Sequence, residues 1–255
     1  MIDPPLRLSQ GHLQLLATCP PQFQRLYLEQ LTTPIPPEQQ EKLDWGDRFH
    51  RLMQQRELGL PVEILLDQYP DLAAAFSALI QAVPALQNPP SHLGRSPEHY
   101  LILPWQNYLL TVIYDLLVME PDRAEILDWK TYLLPQNPEK IILSWQTKLY
   151  LYVLAETSVY EPEQLSMTYW FVKLPQTPQS LTIAYSQKQH QETRQELDRL
   201  LTQLNQWLSP FDRSVPVFPH QTDCQSRCPY RQHFPLISPE VNLLKRLAAI
   251  PPLFP

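Results

Sequence analysis

Two aspartates and a lysine carry the chemistry this chain suggests first. Asp115 lies in the apolar run Tyr108 to Met119, and Asp128-Trp129-Lys130 lies in a second run, Ala124 to Tyr132. Between them, Glu120-Pro121-Asp122-Arg123 has the composition of a tight turn. A turn centred between Pro121 and Asp122 places Asp115 opposite Asp128 in an antiparallel pair, on one shared face. Lys130, two residues on, joins that face. Opposed carboxylates at about 5 Å repel and weaken a sheet, and a divalent cation between them removes the penalty. Hard oxygen donors suit Mg²⁺ or Mn²⁺. Such an ion polarises a phosphoryl oxygen and acidifies a bound water, so the residues point to metal-assisted phosphodiester hydrolysis with Lys130 beside the attacking water.

The elements that must position these groups follow from periodicity. A helix over about Ser9 to Leu31 carries Cys19 and is interrupted by Pro20-Pro21. A second helix, about Glu38 to Gly59, has the stripe Trp45, Phe49, Leu52 and Met53, with His50 at its edge. Gly46, one turn before His50, leaves room for close approach. A helical insert spans about 61–86. Strands follow at about Glu98 to Pro104, Gln106 to Met119 and Ala124 to Leu133, then a helix from about Ser144 to Thr157 with Gln146 and Tyr150 on one face. Two further strands, Met167 to Leu174 and Leu181 to Ser186, precede an amphipathic helix, Lys188 to Leu208. The segment 211–234 is rich in loop-forming residues and holds Cys224 and Cys228; a short helix, Pro239 to Ala249, is expected in the tail.

Taken in order, these motifs resemble the PD-(D/E)XK nuclease superfamily, in its RecB-like and CRISPR-adaptation exonuclease-like branch. Asp115 matches the family's first acidic ligand, and Ile126-Leu127-Asp128-Trp129-Lys130-Thr131 its D/E-x-K motif. His50 matches a Gly-x3-His helix, Gln146 and Tyr150 a Gln-x3-Tyr helix, and Glu98 a glutamate that opens the first core strand. The resemblance implies an α/β fold, a central mixed sheet flanked by helices (a restriction-endonuclease-like core), with an N-terminal helical part and a loop-rich C-terminal segment. It implies catalysis by Asp115, Asp128 and Lys130, and metal binding by His50, Asp115 and Asp128. Gln146, Tyr150 and Glu98 are implied in substrate binding or support. The expected activity is a Mg²⁺- or Mn²⁺-dependent deoxyribonuclease of DNA repair, recombination or a related pathway, alongside a helicase or a repair or CRISPR partner protein. The alternative is a catalytically silent nuclease fold that serves as a binding scaffold.

The cysteines depart from the family pattern, which uses four for an iron–sulfur cluster. Here there are three, Cys19, Cys224 and Cys228, with His233 near the position of the missing fourth. An incomplete iron–sulfur cluster, a zinc site completed by His233 or His220, and an empty site all remain open. Composition constrains the rest. A hydrophobic fraction of 44% in 255 residues supports one domain over 1–255. Three cysteines and no basic-apolar leader argue for a cytoplasmic protein without a disulfide framework. No apolar run reaches membrane-spanning length. With only 4 glycines there is no phosphate-binding loop, so no ATPase module is expected. The net charge of −6 requires local basic groups for nucleic-acid binding; Arg48, Arg51 and Arg56 on the His50 helix and Lys140 and Lys148 beside Gln146 are the candidates.

Overall fold

The computed structural model describes residues 5–31, 36–87, 94–134, 137–173, 178–208 and 218–220. In chain order the elements are β1 (Leu6–Leu8), α1 (Gln10–Thr18), α2 (Pro20–Phe23) running into a π-helical turn (Gln24–Leu28), α3 (Pro37–Glu57), α4 (Glu63–Gln68), α5 (Pro70–Ala82) and α6 (Pro84–Gln87). There follow β2 (Arg95–Trp105), β3 (Tyr108–Met119), β4 (Ala124–Lys130), α7 (Glu139–Ile142), α8 (Trp145–Thr157), β5 (Leu165–Phe171), β6 (Gln179–Ala184) and α9 (Gln187–Leu208). The six strands form one mixed sheet. β3 pairs antiparallel with β2 along almost its whole length, so its other edge is shared. β1 runs parallel to the start of that edge, and β4 runs antiparallel to its end. β4 then pairs parallel with β5, and β5 antiparallel with β6.

Helices cover both faces, as expected for an α/β core. On one face Leu13 and Leu16 of α1, Leu149 and Leu154 of α8, and Leu197, Leu201 and Leu204 of α9 pack on Leu110, Val112, Tyr114, Ile126, Met167 and Tyr169. On the other, Phe49, Leu52 and Met53 of α3 and Leu72, Ala75 and Leu79 of α5 pack on Leu116, Leu127, Trp129 and Val172. A central strand covered on both faces reads as a near-continuous buried run. β4 is such a strand: from Ile126 to Trp129 every residue is buried, Asp128 included.

Several expectations shift. β1 is a strand that the sequence did not announce. The N-terminal helix breaks at Cys19 and, after α2, widens into a π turn instead of continuing to Leu31. Gln106 is not in a strand; it takes a left-handed φ of 51° in the turn joining β2 to β3. β4 stops at Lys130 and does not reach Leu133. The helical insert resolves into α4, α5 and α6. Most of 211–234, with Cys224, Cys228 and His233, and the expected tail helix lie outside the described residues. Cys19 is buried at the start of α2. Phe218 returns to this region: its backbone N–H donates to Gln24 Oε1 at 2.8 Å, and its ring stacks on Phe23.

Gly94, just before β2, has φ +78° and sits under the end of β3, where Met119 N–H donates to its carbonyl. A Cβ there would lie 2.4 Å from the Met119 carbonyl oxygen, whereas at Gly59 (φ +69°) it would meet nothing. Both positions disfavour a side chain through φ alone, by about 1 kcal/mol. Gly94→Ala adds a clash with backbone and should cost at least about twice what Gly59→Ala does. Urea unfolding of the two variants measures the difference; equal losses would mean that the β2–β3 junction relaxes freely.

Candidate active site

The site forms where the pairing of β2 and β3 fails. The register from Arg95↔Val118 to Trp105↔Tyr108 is continuous except for one pair, Glu98 and Asp115. Glu98 has φ 46°, a left-handed conformation that costs a residue with a Cβ about 1–3 kcal/mol. On β3 the pleat turns over at the same place. Tyr114 packs with α8 and Leu116 with α3, although residues two apart on a regular strand share a face. The β3–β4 ladder also ends here, at Leu116↔Leu127.

This corrects one expectation. Continued one residue past its last pair, Leu116↔Leu127, the register would bring Asp115 level with Asp128, but the ladder stops short of that pair. The two carboxylates do not project side by side from one pleated face. Asp115 turns into the gap that opens between β3 and β4, where its Oδ2 accepts the Trp129 backbone N–H at 2.7 Å. That N–H would otherwise be orphaned at the end of the ladder, and a carboxylate is a strong acceptor for it. Asp115 Oδ1 lies 3.1 Å from His50 Nδ1.

His50 is fixed by anchors at both ends of α3. Gly46 lets the helix lie against the end of β4: a Cβ on it would be 3.1 Å from Thr131 Oγ1. Glu57 pairs with its neighbour Arg56 and with Arg95 at the start of β2, and Arg56 also donates to the Leu86 carbonyl. Trp45 Nε1–H donates to Asp71 Oδ2 at 2.7 Å, tying α3 to α5. Among the described residues, His50, Glu98 and Asp115 form a group whose ligand atoms all lie within 4.8 Å of one another. Glu98 is therefore closer to a ligand position than its expected supporting role suggested.

Asp128 and Lys130 face α8. Lys130 Nζ is 2.6 Å from Asp128 Oδ1. The contact is a charge-assisted one that holds this buried oxygen against the ammonium. Gln146, in the first turn of α8, bridges the two: Nε2–H donates to Asp128 Oδ2 at 2.6 Å, and Oε1 accepts from Lys130 at 2.9 Å. Ser144 starts that helix as its N-cap, accepting the Thr147 N–H. Tyr150 is buried, with its side chain hydrogen-bonded to Gln146. It is 4% exposed, packs edge-on to Tyr114, and accepts the Tyr114 hydroxyl on its backbone carbonyl at 2.9 Å. Of the expected basic groups, Arg56 is held by Glu57, Arg48 lies over the Tyr69 ring, and Lys148 pairs with Glu196 at 2.7 Å.

Crowding of the acids shifts their protonation. Burial, then the Asp115 charge, push Asp128 up to about 6, against the opposing pull of Lys130. Burial and Asp115 also raise Glu98. Burial by itself would lower the His50 imidazole, but its hydrogen bond to Asp115 and the charges of Asp115, Asp128 and Glu98 raise it on balance. Lys130 is likewise opposed by burial yet raised by Asp128, so it stays an ammonium. A His-Glu-Asp group whose ligand atoms converge, held in acid excess beside a further buried carboxylate, is a donor set that fits a divalent cation.

The sequence matches the PD-(D/E)XK nuclease superfamily over residues 7–233, and the chain belongs to that superfamily. It is thus a nuclease of a superfamily that typically uses divalent metals. Among solved structures it resembles one described as a "Putative exonuclease" from Eubacterium rectale, with 12% identity and a TM-score of 0.53, over 96% of this chain and 94% of that one. At that identity the likeness shows the fold. SSO0001 is looser, at 13% identity and a TM-score of 0.35 over 90% of this chain and 85% of that one, and carries no argument. No curated protein matches the sequence significantly. Among the described residues no helix is long and apolar enough to cross a membrane.

The raised carboxyls set a stability prediction. A folded state that binds protons more tightly than the unfolded chain loses stability as pH rises. For Asp128 the loss falls between its ordinary value near 4 and about 6. Glu98 and His50 are also raised, so they change in the same direction. In chelator, the urea midpoint of the wild type should fall between about pH 4 and about pH 7, and Asp128→Asn should flatten that fall. A wild-type midpoint that climbs across the window, or an identical slope in the variant, would contradict the acid crowding.

Proposed function

We propose that this nuclease is a metal-dependent deoxyribonuclease that hydrolyses phosphodiester bonds of DNA, in repair, recombination or a related DNA-processing pathway. The convergence of His50, Glu98 and Asp115 beside the Asp128–Lys130 pair carries the reading. His50, Glu98 and Asp115 would hold Mg²⁺ or Mn²⁺, with Asp128 Oδ1 as a further donor. When bound, the ion would polarise a phosphoryl oxygen and lower the pKa of a water.

The remaining work falls to the chain. Lys130 is held as a cation by Asp128, so it does not take the proton from the attacking water. Its ammonium orients that water and stabilises the negative charge that grows at phosphorus, the kind of preorganised electrostatics that contributes most to such reactions. Gln146 is a positioning residue: it accepts from Lys130 and donates to Asp128, fixing both at once. Asp115 combines two tasks, orienting His50 and capping the Trp129 N–H, so that the loop beyond β4 cannot drift from the site. The exonuclease name of the Eubacterium rectale neighbour accords with a nuclease working near strand ends.

Asp128→Ala and Lys130→Ala should each lower Mg²⁺- or Mn²⁺-dependent cleavage of linear DNA by at least about a hundredfold while melting stays cooperative. Wild-type-like turnover in either variant would end the assignment. Glu98→Gln separates ligand from bystander: calorimetric titration with Mn²⁺ should show affinity weakened by about tenfold or more. An unchanged isotherm would remove Glu98 from the ligand set.

A further inference from the structure

A cavity of about 320 Å³ adjoins the site. Its wall includes Lys130 and Gln146, the same two groups that hold Asp128. The rest comes from elements the nuclease reading leaves unused: Gln10 and Gln14 on α1, Tyr132 just past β4, and Lys140 on α7. We propose that this cavity is a subsite for one unpaired nucleotide of the strand being cut, next to the scissile phosphate, with its base stacked on Tyr132 and its outer phosphate on Lys140. The inference rests on the nuclease reading and names the part of the substrate that its site takes.

Three observations carry it. First, among the described residues the lining carries two lysines, Lys130 (paired with Asp128) and Lys140, and no carboxylate, while the chain as a whole has a net charge of −6. Affinity for a nucleic-acid strand comes from such local neutralisation of phosphate. Second, the size is selective. The volume is at the small end of ligand pockets, which run from about 300 Å³. A duplex, whose major groove alone is about 12 Å wide, does not enter such a space, whereas a single nucleotide does. Third, the wall offers the right contacts for an exposed base. Tyr132 is half exposed and is braced edge-on against Phe171 at 5.8 Å, which leaves a rigid ring at the cavity rim. Gln14 already accepts the Trp145 backbone N–H on Oε1, so its amide orientation is set. Sequence-tolerant binding of single strands uses this pairing of an aromatic platform with a basic track.

The test is fluorescence anisotropy of a labelled ten-nucleotide oligothymidylate with the full chain in Ca²⁺, alongside steady-state cleavage in Mn²⁺. Tyr132→Ala and Lys140→Ala should each weaken binding by about five- to tenfold, and the loss should appear in KM rather than kcat. Tyr132→Phe should bind like the wild type, since it keeps the stacking face and the brace on Phe171. Lys188→Ala, on the remote α9 helix, should also bind like the wild type and so controls for overall charge. A blunt duplex with no unpaired end should bind more weakly than the oligothymidylate. Equal affinities for wild type, Tyr132→Ala and Lys140→Ala, or equal affinity for blunt duplex, would overturn the subsite. Loss of binding in the two variants from a wild type that cuts nothing would support the subsite and overturn the nuclease reading instead.

Discussion

Like charge confined to a small volume is the constraint on which this structure turns. Glu98, Asp115 and Asp128 crowd at the centre of a sheet whose hydrophobic faces are covered by helices on both sides. A regular ladder would hold Glu98 and Asp115 as a cross-strand pair, with neither ligand nor counter-charge. The chain breaks that ladder instead, at the expense of a left-handed Glu98, and uses the gap to aim Asp115 between strands. Pleat reversal, ladder end and capped Trp129 N–H all occur at this one place. Strain of this kind persists only where the surrounding structure over-determines it. Here the anchors are α3, held through Gly46 against Thr131 and Glu57 against Arg95, and α8, held through its Ser144 cap.

The same crowding gives the two halves of the site different characters. On the α3 side, His50, Glu98 and Asp115 form an acid-rich group with an imidazole whose proton they favour. On the α8 side, Lys130 and Gln146 surround Asp128 with one cation and one two-faced amide. A cation site beside an anion-stabilising lysine suits in-line attack at phosphorus, where the attacking and leaving oxygens need charge support from different directions.

Much of this was legible in the residues. The hairpin register followed from Pro121-Asp122, because the turn fixes which residues face each other, and Gly46 signalled close approach before His50. The α8 helix and its Gln146 followed from the apolar pattern after Ser144. Other features had no local signature. Nothing about Glu98 advertises a positive φ, since that conformation is imposed by the neighbours it must accommodate, so its move into the ligand group and the reversal at Asp115 were hidden. Tyr150 was expected with Gln146 in substrate binding or support, but its helix is apolar on nearly every side, so the depth to which the ring is buried against the sheet had no signature in the sequence. β1 is three residues long, too short for its alternation to stand out, and is a strand only because the edge of β3 is there to receive it.

The account depends most on where a divalent ion sits. Crystals grown with Mn²⁺, with diffraction collected at the manganese absorption edge, answer this directly. The account predicts an anomalous peak within ligating distance of Glu98, Asp115 and His50, on the Asp128 side of that group. Crystals saturated with Mn²⁺ that show no peak there, or Glu98 and Asp115 re-paired as ordinary cross-strand neighbours, would contradict it.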